Sequence, residues 1–309
     1  MRIAYFGSGT FSVPSLRAVL NTDHEVVGVY TQPARRAGRG GHVTPTPVAR
    51  AARQAGRDVI ECAEINSEEA VAGLRRLALD VICVVDFGQL IGRSVMGTAR
   101  LGAVNLHGSL LPALRGAAPV NWALIRGLER TGVTTFRIVE AMDAGPIYLQ
   151  ATTEVEPEET AEELKARLAS LGAETVCRTL ELLAAGPAEA REQDHAQATP
   201  APRLKKADGV IDWSAGAETI CNLIRGTWPW PGGQTSVHRA EGRDVPVAIA
   251  AARPDEGARA EAGVLDEDLC ISAGEGRVRV VRLRPAGKRL MEWRDFVNGY
   301  RLRAGDRCG

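Results

Sequence analysis

Three polar residues with complementary chemistry stand near one another in the first half of the chain. Asn105 and His107 lie two positions apart in an apolar run, and Asp143 begins an Asp-Ala-Gly segment. On an extended backbone, side chains two apart share one face, and Gly108 ends the strand at that point. An amide, an imidazole and a carboxylate are the groups that an acyl transfer to an amine requires. The pattern predicts a catalytic cluster at the carboxyl end of a strand, where open α/β sheets form ligand crevices.

Each of the three side chains has a distinct role in such a reaction. When an amine attacks a carbonyl carbon, negative charge develops on oxygen, which the Asn105 amide and the His107 N–H can stabilise. Asp143 would orient the ring of His107 and help to carry the proton that the amine loses. The structural alternative is that Asn105 caps a turn, His107 is a hydrogen-bonded core residue and Asp143 opens a turn. Residue types and spacing by themselves leave both interpretations open.

The N-terminal half alternates short apolar runs with amphipathic stretches, which is typical of parallel strands joined by helices. Strands are predicted at residues 3–6, 25–30, 81–85 and 103–106, and helices at residues 13–20, 48–55 and 68–77. This order predicts an α/β fold with a Rossmann-like, mostly parallel sheet and helices on both faces. Residues 7–10 lack the third glycine of a dinucleotide fingerprint, so they predict a tight turn.

The C-terminal part has a different pattern. A helix predicted at residues 160–183 follows acidic residues that suit a helix N-terminus. Residues 185–201 contain few large apolar side chains, which predicts a linker that crosses a surface. Further on, the sequence predicts a helix at residues 217–225 and short strands at 234–237, 245–251, 269–272 and 278–283, a pattern that indicates a small β-barrel. We therefore expect a first domain at residues 1–185, a linker at 186–207 and a smaller domain at 208–309.

Composition excludes several classes of protein. The chain has 309 residues, 45% of them hydrophobic, and a formal net charge of zero, which excludes a globally basic nucleic-acid coat. No apolar run approaches the roughly 18 residues of a membrane helix, and the N-terminus lacks the apolar core of a signal peptide. We therefore expect a cytoplasmic protein. The six cysteines follow no metal-ligand spacing, so we expect free thiols and no metal.

The motifs resemble one known family. Residues 105–112 read Asn-Leu-His-Gly-Ser-Leu-Leu-Pro, residues 115–119 read Arg-Gly-Ala-Ala-Pro, and residues 143–145 read Asp-Ala-Gly. These motifs are similar to those of the folate-dependent formyltransferases, especially the members that act on methionyl-tRNA. Further similar segments lie at residues 2–10, 31–40, 211–214, 228–231 and 284–288. The resemblance therefore runs over nearly the whole chain.

The resemblance implies a reaction and a set of site residues. It implies transfer of the formyl group of 10-formyltetrahydrofolate to the α-amine of methionine on initiator Met-tRNA, without a metal. It assigns oxyanion stabilisation to Asn105 and His107, and orientation of His107 to Asp143. It implies a folate site lined by Ser109, Leu110, Leu111 and Pro112. It also implies that the second domain is an OB-like, tRNA-binding barrel, and we expect a monomer.

Two basic regions are candidates for the implied tRNA contact. The loop at residues 35–41 combines arginines with glycines, which suits a polyanion because Arg grips phosphate bidentately. In the resembled family this loop reaches the acceptor arm, and Arg35 and Arg39 would contact the tRNA. In the second domain, Arg277 and Arg279 share one strand face and would meet the phosphate backbone. The alternative in both regions is a solvated arginine-rich surface.

The chain departs from the family pattern in places, and other functions share its motifs. Asp86 stands where the family commonly has alanine, which adds a carboxylate near the expected pterin pocket. An N-formyltransferase acting on an amino-sugar nucleotide would use Asn105, His107 and Asp143 equally, but it would have no use for the basic regions. A folate- or RNA-binding protein without activity and a hydrolase that releases formate are further alternatives.

Overall fold

The computed structural model describes residues 1–37, 42–239, 243–257 and 261–309. The chain forms two compact units, each built from several stretches of sequence. Unit 1 comprises Met1–Pro119, Thr131–Thr153 and Lys165–Ala201. Unit 2 comprises Val120–Arg130, Glu154–Leu164 and Pro202–Gly309.

The strands form one large sheet, one smaller sheet and one short ribbon. They are β1 Arg2–Gly7, β2 Glu25–Thr31, β3 Arg35–Ala37, β4 His42–Thr44, β5 Val59–Glu61, β6 Val81–Val85, β7 Ala103–His107, β8 Arg130–Arg137, β9 Ile147–Glu154, β10 Gly233–His238, β11 Val245–Asp255, β12 Ile271–Ser272, β13 Arg277–Pro285, β14 Met291–Glu292 and β15 Arg307–Cys308. The helices are α1 Ser12–Leu20, α2 Pro47–Gln54, α3 Glu68–Arg75, α4 Arg93–Met96, α5 Pro119–Ile125, α6 Ala161–Ala185, α7 Ala217–Thr227 and α8 Trp293–Tyr300.

The large sheet has seven strands in the order β5-β2-β1-β6-β7-β8-β9. The pairs from β5 to β7 are parallel, and β8 runs antiparallel to β7. Its central strands are buried along their length, as the continuous apolar runs of β1 and β6 require. The predicted Rossmann-like, mostly parallel sheet is therefore confirmed.

Local signals explain where the helices of unit 1 begin. Thr46 caps α2 by accepting a hydrogen bond from the Ala49 N–H at 3.0 Å, and Pro47 occupies the first helical turn. Ser67 caps α3 in the same way, with a bond of 3.3 Å from the Ala70 N–H. The predicted helices at residues 13–20, 48–55 and 68–77 are confirmed to within two residues at either end.

Unit 2 contains a six-stranded antiparallel sheet in the order β12-β13-β11-β10-β15, with β14 paired to β13. Register shifts near Ile249 and Ala251 bend β11 against β13, and such bulges curve a sheet. One face covers a core that includes Ile224, Val278 and Phe296, all fully buried. The predicted small β-barrel is confirmed as a barrel-like antiparallel sheet.

The sequence patterns missed several elements. Strands β8 and β9 pair with β7 and with each other at one end of the large sheet, and their sequences have no continuous apolar run that would separate them from loops. Helix α8 was missed although its apolar side chains, Trp293, Phe296, Val297 and Tyr300, follow the helical spacing i, i+3, i+4 and i+7. Among the described residues, no helix is both long and apolar enough to cross a membrane.

Candidate active site

Strand β7 carries two of the predicted catalytic residues to the carboxyl end of the large sheet. Asn105 pairs with Val84 of β6 on one side and with Phe136 of β8 on the other, and His107 pairs with Thr134. Helix α6 approaches this strand closely, because a Cβ on Gly172 would lie only 2.5 Å from the side chain of Leu106. The two polar side chains therefore project from a rigid strand with a helix packed against it.

The imidazole of His107 is held through one nitrogen and faces a carboxylate with the other. Its Nε2 lies 2.9 Å from the carbonyl oxygen of Leu114, and its Nδ1 lies 3.8 Å from Oδ2 of Asp143. A carbonyl oxygen can only accept a hydrogen bond, so Nε2 carries a proton. Nδ1 is then the nitrogen that can gain or lose a proton, and it faces the carboxylate. The residue is 7% exposed, so its ring has little room to turn.

Asp143 lies in a tight loop between β8 and β9. Its φ angle is 51°, and its Oδ2 accepts a hydrogen bond of 2.8 Å from the Gly116 N–H. Two residues on, a Cβ on Gly145 would lie 1.8 Å from the Arg137 carbonyl oxygen, so only glycine fits there. The structure therefore brings Asp143 next to His107, as predicted.

Asn105 differs from His107 and Asp143 because its side chain has no hydrogen-bond partner among the residues that the structure describes. Within the described part of the chain, no hydrogen bond to its amide group is found, although the residue is half-buried. A half-buried amide without a protein partner on the same strand as His107 is suited to bind a polar atom of a ligand.

The four residues predicted to line the folate site divide into two pairs. Ser109 and Leu111 are buried, and the Ser109 hydroxyl donates to the Ala113 carbonyl at 2.6 Å. Leu110 and Pro112 are only half-buried. In this structure, Leu110 and Pro112 are therefore the two residues whose side chains are exposed enough to contact a ligand, while Ser109 and Leu111 support the loop from inside.

A segment that the sequence indicated as linker lies beside these residues. Ile147 and Arg191 exchange two backbone hydrogen bonds of 2.8 Å, and the Arg115 N–H donates to the Thr199 carbonyl at 2.8 Å. The side chain of Gln193 reaches the Asp143 loop. The polar composition of this segment did not predict these contacts, because its hydrogen bonds are made with backbone groups far away in the sequence.

Asp86 stands at the end of β6 with a φ angle of 46°. Its backbone carbonyl accepts hydrogen bonds from the N–H groups of Ser8 and Gly9, and its carboxylate lies 3.7 Å from Nζ of Lys165. Burial raises the pKa of the Asp86 carboxyl, and the charge of Lys165 partly offsets this rise. A Cβ on Gly9 would collide with the carboxylate, so the turn and Asp86 fit together.

The predicted tRNA residues have different surroundings. Arg35 is exposed and donates to Oε1 of Gln32 at 3.0 Å, while Arg39 lies outside the described residues. Arg277 forms salt bridges with Asp255, Asp266 and Asp268, and its side chain is only 14% exposed.

The positive charges of the other arginines on β13 are less neutralised than that of Arg277. Arg279 donates to Asp255 at 2.6 Å and remains 44% exposed. Arg282 and Arg284 are exposed, and neither forms a salt bridge with any residue that the structure describes. The guanidinium of Arg284 lies 5.1 Å from the ring centre of Trp228.

Comparison with known proteins identifies the family. A model described as "Formyl transferase" matches residues 1–180, and one described as "Formyl transferase, C-terminal domain" matches residues 203–301. The chain belongs to the formyl transferase family. Methionyl-tRNA formyltransferase of Solibacter usitatus is 41% identical over 312 residues, covering 100% of this chain and 99% of that relative. The methionyl-tRNA formyltransferase of Moorella thermoacetica is 40% identical, covering 100% and 99%.

Solved structures support the fold. An N-formyltransferase from Helicobacter canadensis, in complex with folinic acid and dTDP-3-aminofucose, superimposes with a TM-score of 0.67 at 16% identity, covering 90% of this chain and 98% of that one. HypX from Aquifex aeolicus, in complex with tetrahydrofolic acid, gives a TM-score of 0.65 at 17% identity, covering 97% of this chain and 47% of that one. At these identities the likeness concerns the fold alone.

Proposed function

We propose that this protein transfers the formyl group of 10-formyltetrahydrofolate to the α-amino group of methionine on initiator Met-tRNA, a step of translation initiation. The observation that carries the proposal is the arrangement of Asn105, His107 and Asp143 at the end of β7, in a chain whose full-length relatives bear the name methionyl-tRNA formyltransferase. Similarity over the whole of both chains favours the same acceptor, because both domains of those relatives have counterparts here.

Each of the three site residues has a role that follows from whether its nitrogen or oxygen atoms can donate or accept a proton. The amide of Asn105, which has no partner within the described part of the chain, donates to the carbonyl oxygen as negative charge develops. Nδ1 of His107 takes the proton that the attacking amine loses. In this proposal His107 does not stabilise the oxyanion, in contrast to the role that the resemblance implies, because its Nε2 N–H already donates to the Leu114 carbonyl. The carboxylate of Asp143 then faces the charged imidazole at 3.8 Å and stabilises it.

The residues present fit a folate cosubstrate. Asn105 offers an unused amide, and the half-buried surfaces of Leu110 and Pro112 offer apolar contact close to it along the chain. Ser109 and Leu111 hold that loop from inside. When bound, 10-formyltetrahydrofolate would supply the formyl group: the bond between the formyl carbon and N10 would break, and tetrahydrofolate would leave with N10 carrying the proton that His107 took from the amine. The proposed reaction uses no metal.

The two units share the substrate in this proposal. Residues 1–185 form the catalytic domain and residues 208–309 form the tRNA-binding domain, while residues 186–207 connect them. Arg35 and Arg39 contact the acceptor arm. On β13, Arg279, Arg282 and Arg284 contact the phosphates of the tRNA. Arg277 contributes indirectly, because its salt bridges with Asp266 and Asp268 anchor the strand. The protein acts as a cytoplasmic monomer.

A direct assay tests the proposal. The purified protein is incubated with 10-formyltetrahydrofolate and Met-tRNA, with uncharged tRNA and an amino-sugar nucleotide as parallel acceptors, and formyl incorporation is followed by mass spectrometry. Formylation of Met-tRNA alone is expected, and His107→Gln is expected to lower its rate about 10²- to 10⁴-fold. Transfer to the sugar nucleotide but not to Met-tRNA would overturn the proposal. Formate release without any acceptor would identify a hydrolase instead.

A further inference from the structure

Gln193 is a buried amide in the segment that the sequence indicated as a linker. It is 6% exposed, and both ends of its amide are used. Its Nε2 donates to the carbonyl oxygens of Asp143 and Gly145, at 2.9 Å and 2.7 Å. Its Oε1 accepts from Nε and Nη2 of Arg115, at 3.2 Å and 2.6 Å. A buried amide with four bonds to two separate loops specifies their relative geometry.

These bonds close a ring of contacts around the catalytic carboxylate. Gln193 binds the backbone of Asp143, whose Oδ2 accepts from the Gly116 N–H. Gly116 follows Arg115, and the guanidinium of Arg115 returns to Gln193. Every member of the ring therefore restrains the next, and Gln193 adds a second link between the Asp143 loop and the Arg115 segment, beside the Gly116–Asp143 bond.

The same segment also fixes the other nitrogen of the imidazole. The hydroxyl of Thr199 accepts a hydrogen bond of 2.9 Å from the Leu114 N–H, and the carbonyl of Leu114 binds Nε2 of His107. Backbone bonds join Arg115 to Thr199 and to Ala201. The groups on both sides of the His107 ring are thus held by Gln193, Thr199 and Ala201.

The Asp143 loop needs such restraint. A φ of 51° is unfavourable for a residue that is not glycine, although aspartate tolerates it better than most. Without bonds to its carbonyl groups, the loop would relax toward more favourable angles, and the carboxylate would leave its place 3.8 Å from Nδ1.

We propose that Gln193 is a positioning residue for the catalytic site, which acts on the reaction by holding Asp143 against His107. The inference rests on the proposed function, because it assigns Gln193 to the proton-transfer part of that reaction. It also predicts which kinetic parameter changes. Asp143 acts in the transition state, and the proposed tRNA contacts lie elsewhere, so loss of Gln193 lowers kcat and leaves KM for Met-tRNA nearly unchanged.

Gln193→Met tests this, because methionine has a similar shape but makes none of the four hydrogen bonds. We expect kcat to fall about 10- to 100-fold, as for a catalytic group misplaced by about 1 Å, with KM changed less than about threefold. Gln197→Met is the matched control, since Gln197 lies in the same segment, is exposed, and among the described residues its side chain bonds only to Asp194, three positions earlier. The control is expected to match the wild type.

A double-mutant cycle separates positioning from general stability. In an Asp143→Asn background, adding Gln193→Met is expected to lower the residual rate less than about twofold, because the group that Gln193 positions is already removed. Equal losses in both backgrounds would overturn the proposal. If Gln193→Met does not fold, Gln193→Glu gives a second comparison, since it keeps the acceptor for Arg115 and replaces the two N–H donors by a carboxylate oxygen that the carbonyl oxygens of Asp143 and Gly145 repel.

A crystal structure of the Gln193→Met protein provides a readout that does not depend on activity. The expected result is a changed Asp143 loop, with Oδ2 farther than 3.8 Å from Nδ1 of His107. An unchanged loop would overturn the inference whatever the substrate is. Absence of formyl transfer by the wild type, combined with a displaced loop in the variant, would instead overturn the proposed function and leave the positioning role standing.

Discussion

His107 and Arg277 were both predicted as site residues, but their neighbours in the structure affect their chemistry in opposite ways. His107 is held by a backbone carbonyl and faces one carboxylate, which leaves Nδ1 free to exchange a proton. Arg277 is surrounded by three carboxylates, which neutralise the charge that would attract a phosphate. The fold therefore preserves the chemistry of His107 but uses the charge of Arg277 for its own structure. A residue type predicts function only when its neighbours leave the relevant atom available.

The largest expected effect concerns the unused amide at the catalytic site. Asn105→Ala is expected to lower kcat/KM for Met-tRNA about 10²- to 10³-fold, because one donor to the developing oxyanion is lost. Formyl transfer measured under steady-state conditions checks this. Asn21→Ala is the control. Asn21 is exposed and lies before the amino-terminal end of β2, whereas Asn105 lies toward the carboxyl end of the parallel strand β7. If both variants behave alike, Asn105 has no catalytic role.

The second prediction compares two arginines of one strand. Arg284→Ala is expected to weaken tRNA binding and to reduce the slope of log affinity against log salt by about 1, as loss of one phosphate contact does. Arg277→Ala is expected to lower the melting temperature by a few degrees instead, because Asp255, Asp266 and Asp268 would lose their common partner. Binding titrations at several salt concentrations and thermal unfolding separate the two. A larger loss of tRNA affinity from Arg277→Ala, without unfolding, would reverse the comparison.

Asp255, whose carboxylate binds both Arg277 and Arg279, is expected to make the stability of the protein depend on pH. Hydrogen bonds from Arg279 and Arg277 hold the pKa of Asp255 below its usual value of 3.8. Its contribution to stability is therefore present above that value and is lost as the pH falls through the lower pKa of the folded state. Asp255→Asn is expected to be less stable than the wild type at pH 7, and the difference is expected to shrink below about pH 4. Denaturant unfolding at both pH values measures it, and a difference independent of pH would contradict the assignment.

The smallest effect is expected for Asp86, where the sign is reversed. Because burial raises the pKa of this carboxyl, its ionised form disfavours folding, and stability is lost as the pH rises through the folded-state pKa. Asp86→Asn is expected to be only slightly more stable than the wild type at pH 7, since the Asp86 side chain is 40% exposed and the pair with Lys165 offsets part of the cost. Asparagine also tolerates the positive φ. A variant that is less stable than the wild type at pH 7 would mean that the Lys165 pair outweighs burial.

The fold was predictable to the extent that its elements have local signatures. The apolar runs of β1 and β6 and the caps at Thr46 and Ser67 are encoded within a few residues, and these elements form where the patterns indicated. Strands β8 and β9 depend on pairing with β7 and with each other, which a local pattern does not contain. Residues 186–207 were predicted as linker from composition, yet residues 191–201 bind the Asp143 and Arg115 loops.

Residue types and their order were enough to predict an α/β protein with a second barrel-like unit, and to place Asn105, His107 and Asp143 in the formyltransferase motifs. Those properties follow from residue type and short-range spacing, which the order of the chain records directly. The folded structure was needed to show which nitrogen of His107 faces Asp143, that Gln193 ties the Asp143 loop to the Arg115 loop, and that Arg277 is neutralised by carboxylates. These facts arise where segments distant in sequence meet, because hydrogen bonds and charge pairs depend on separation in space.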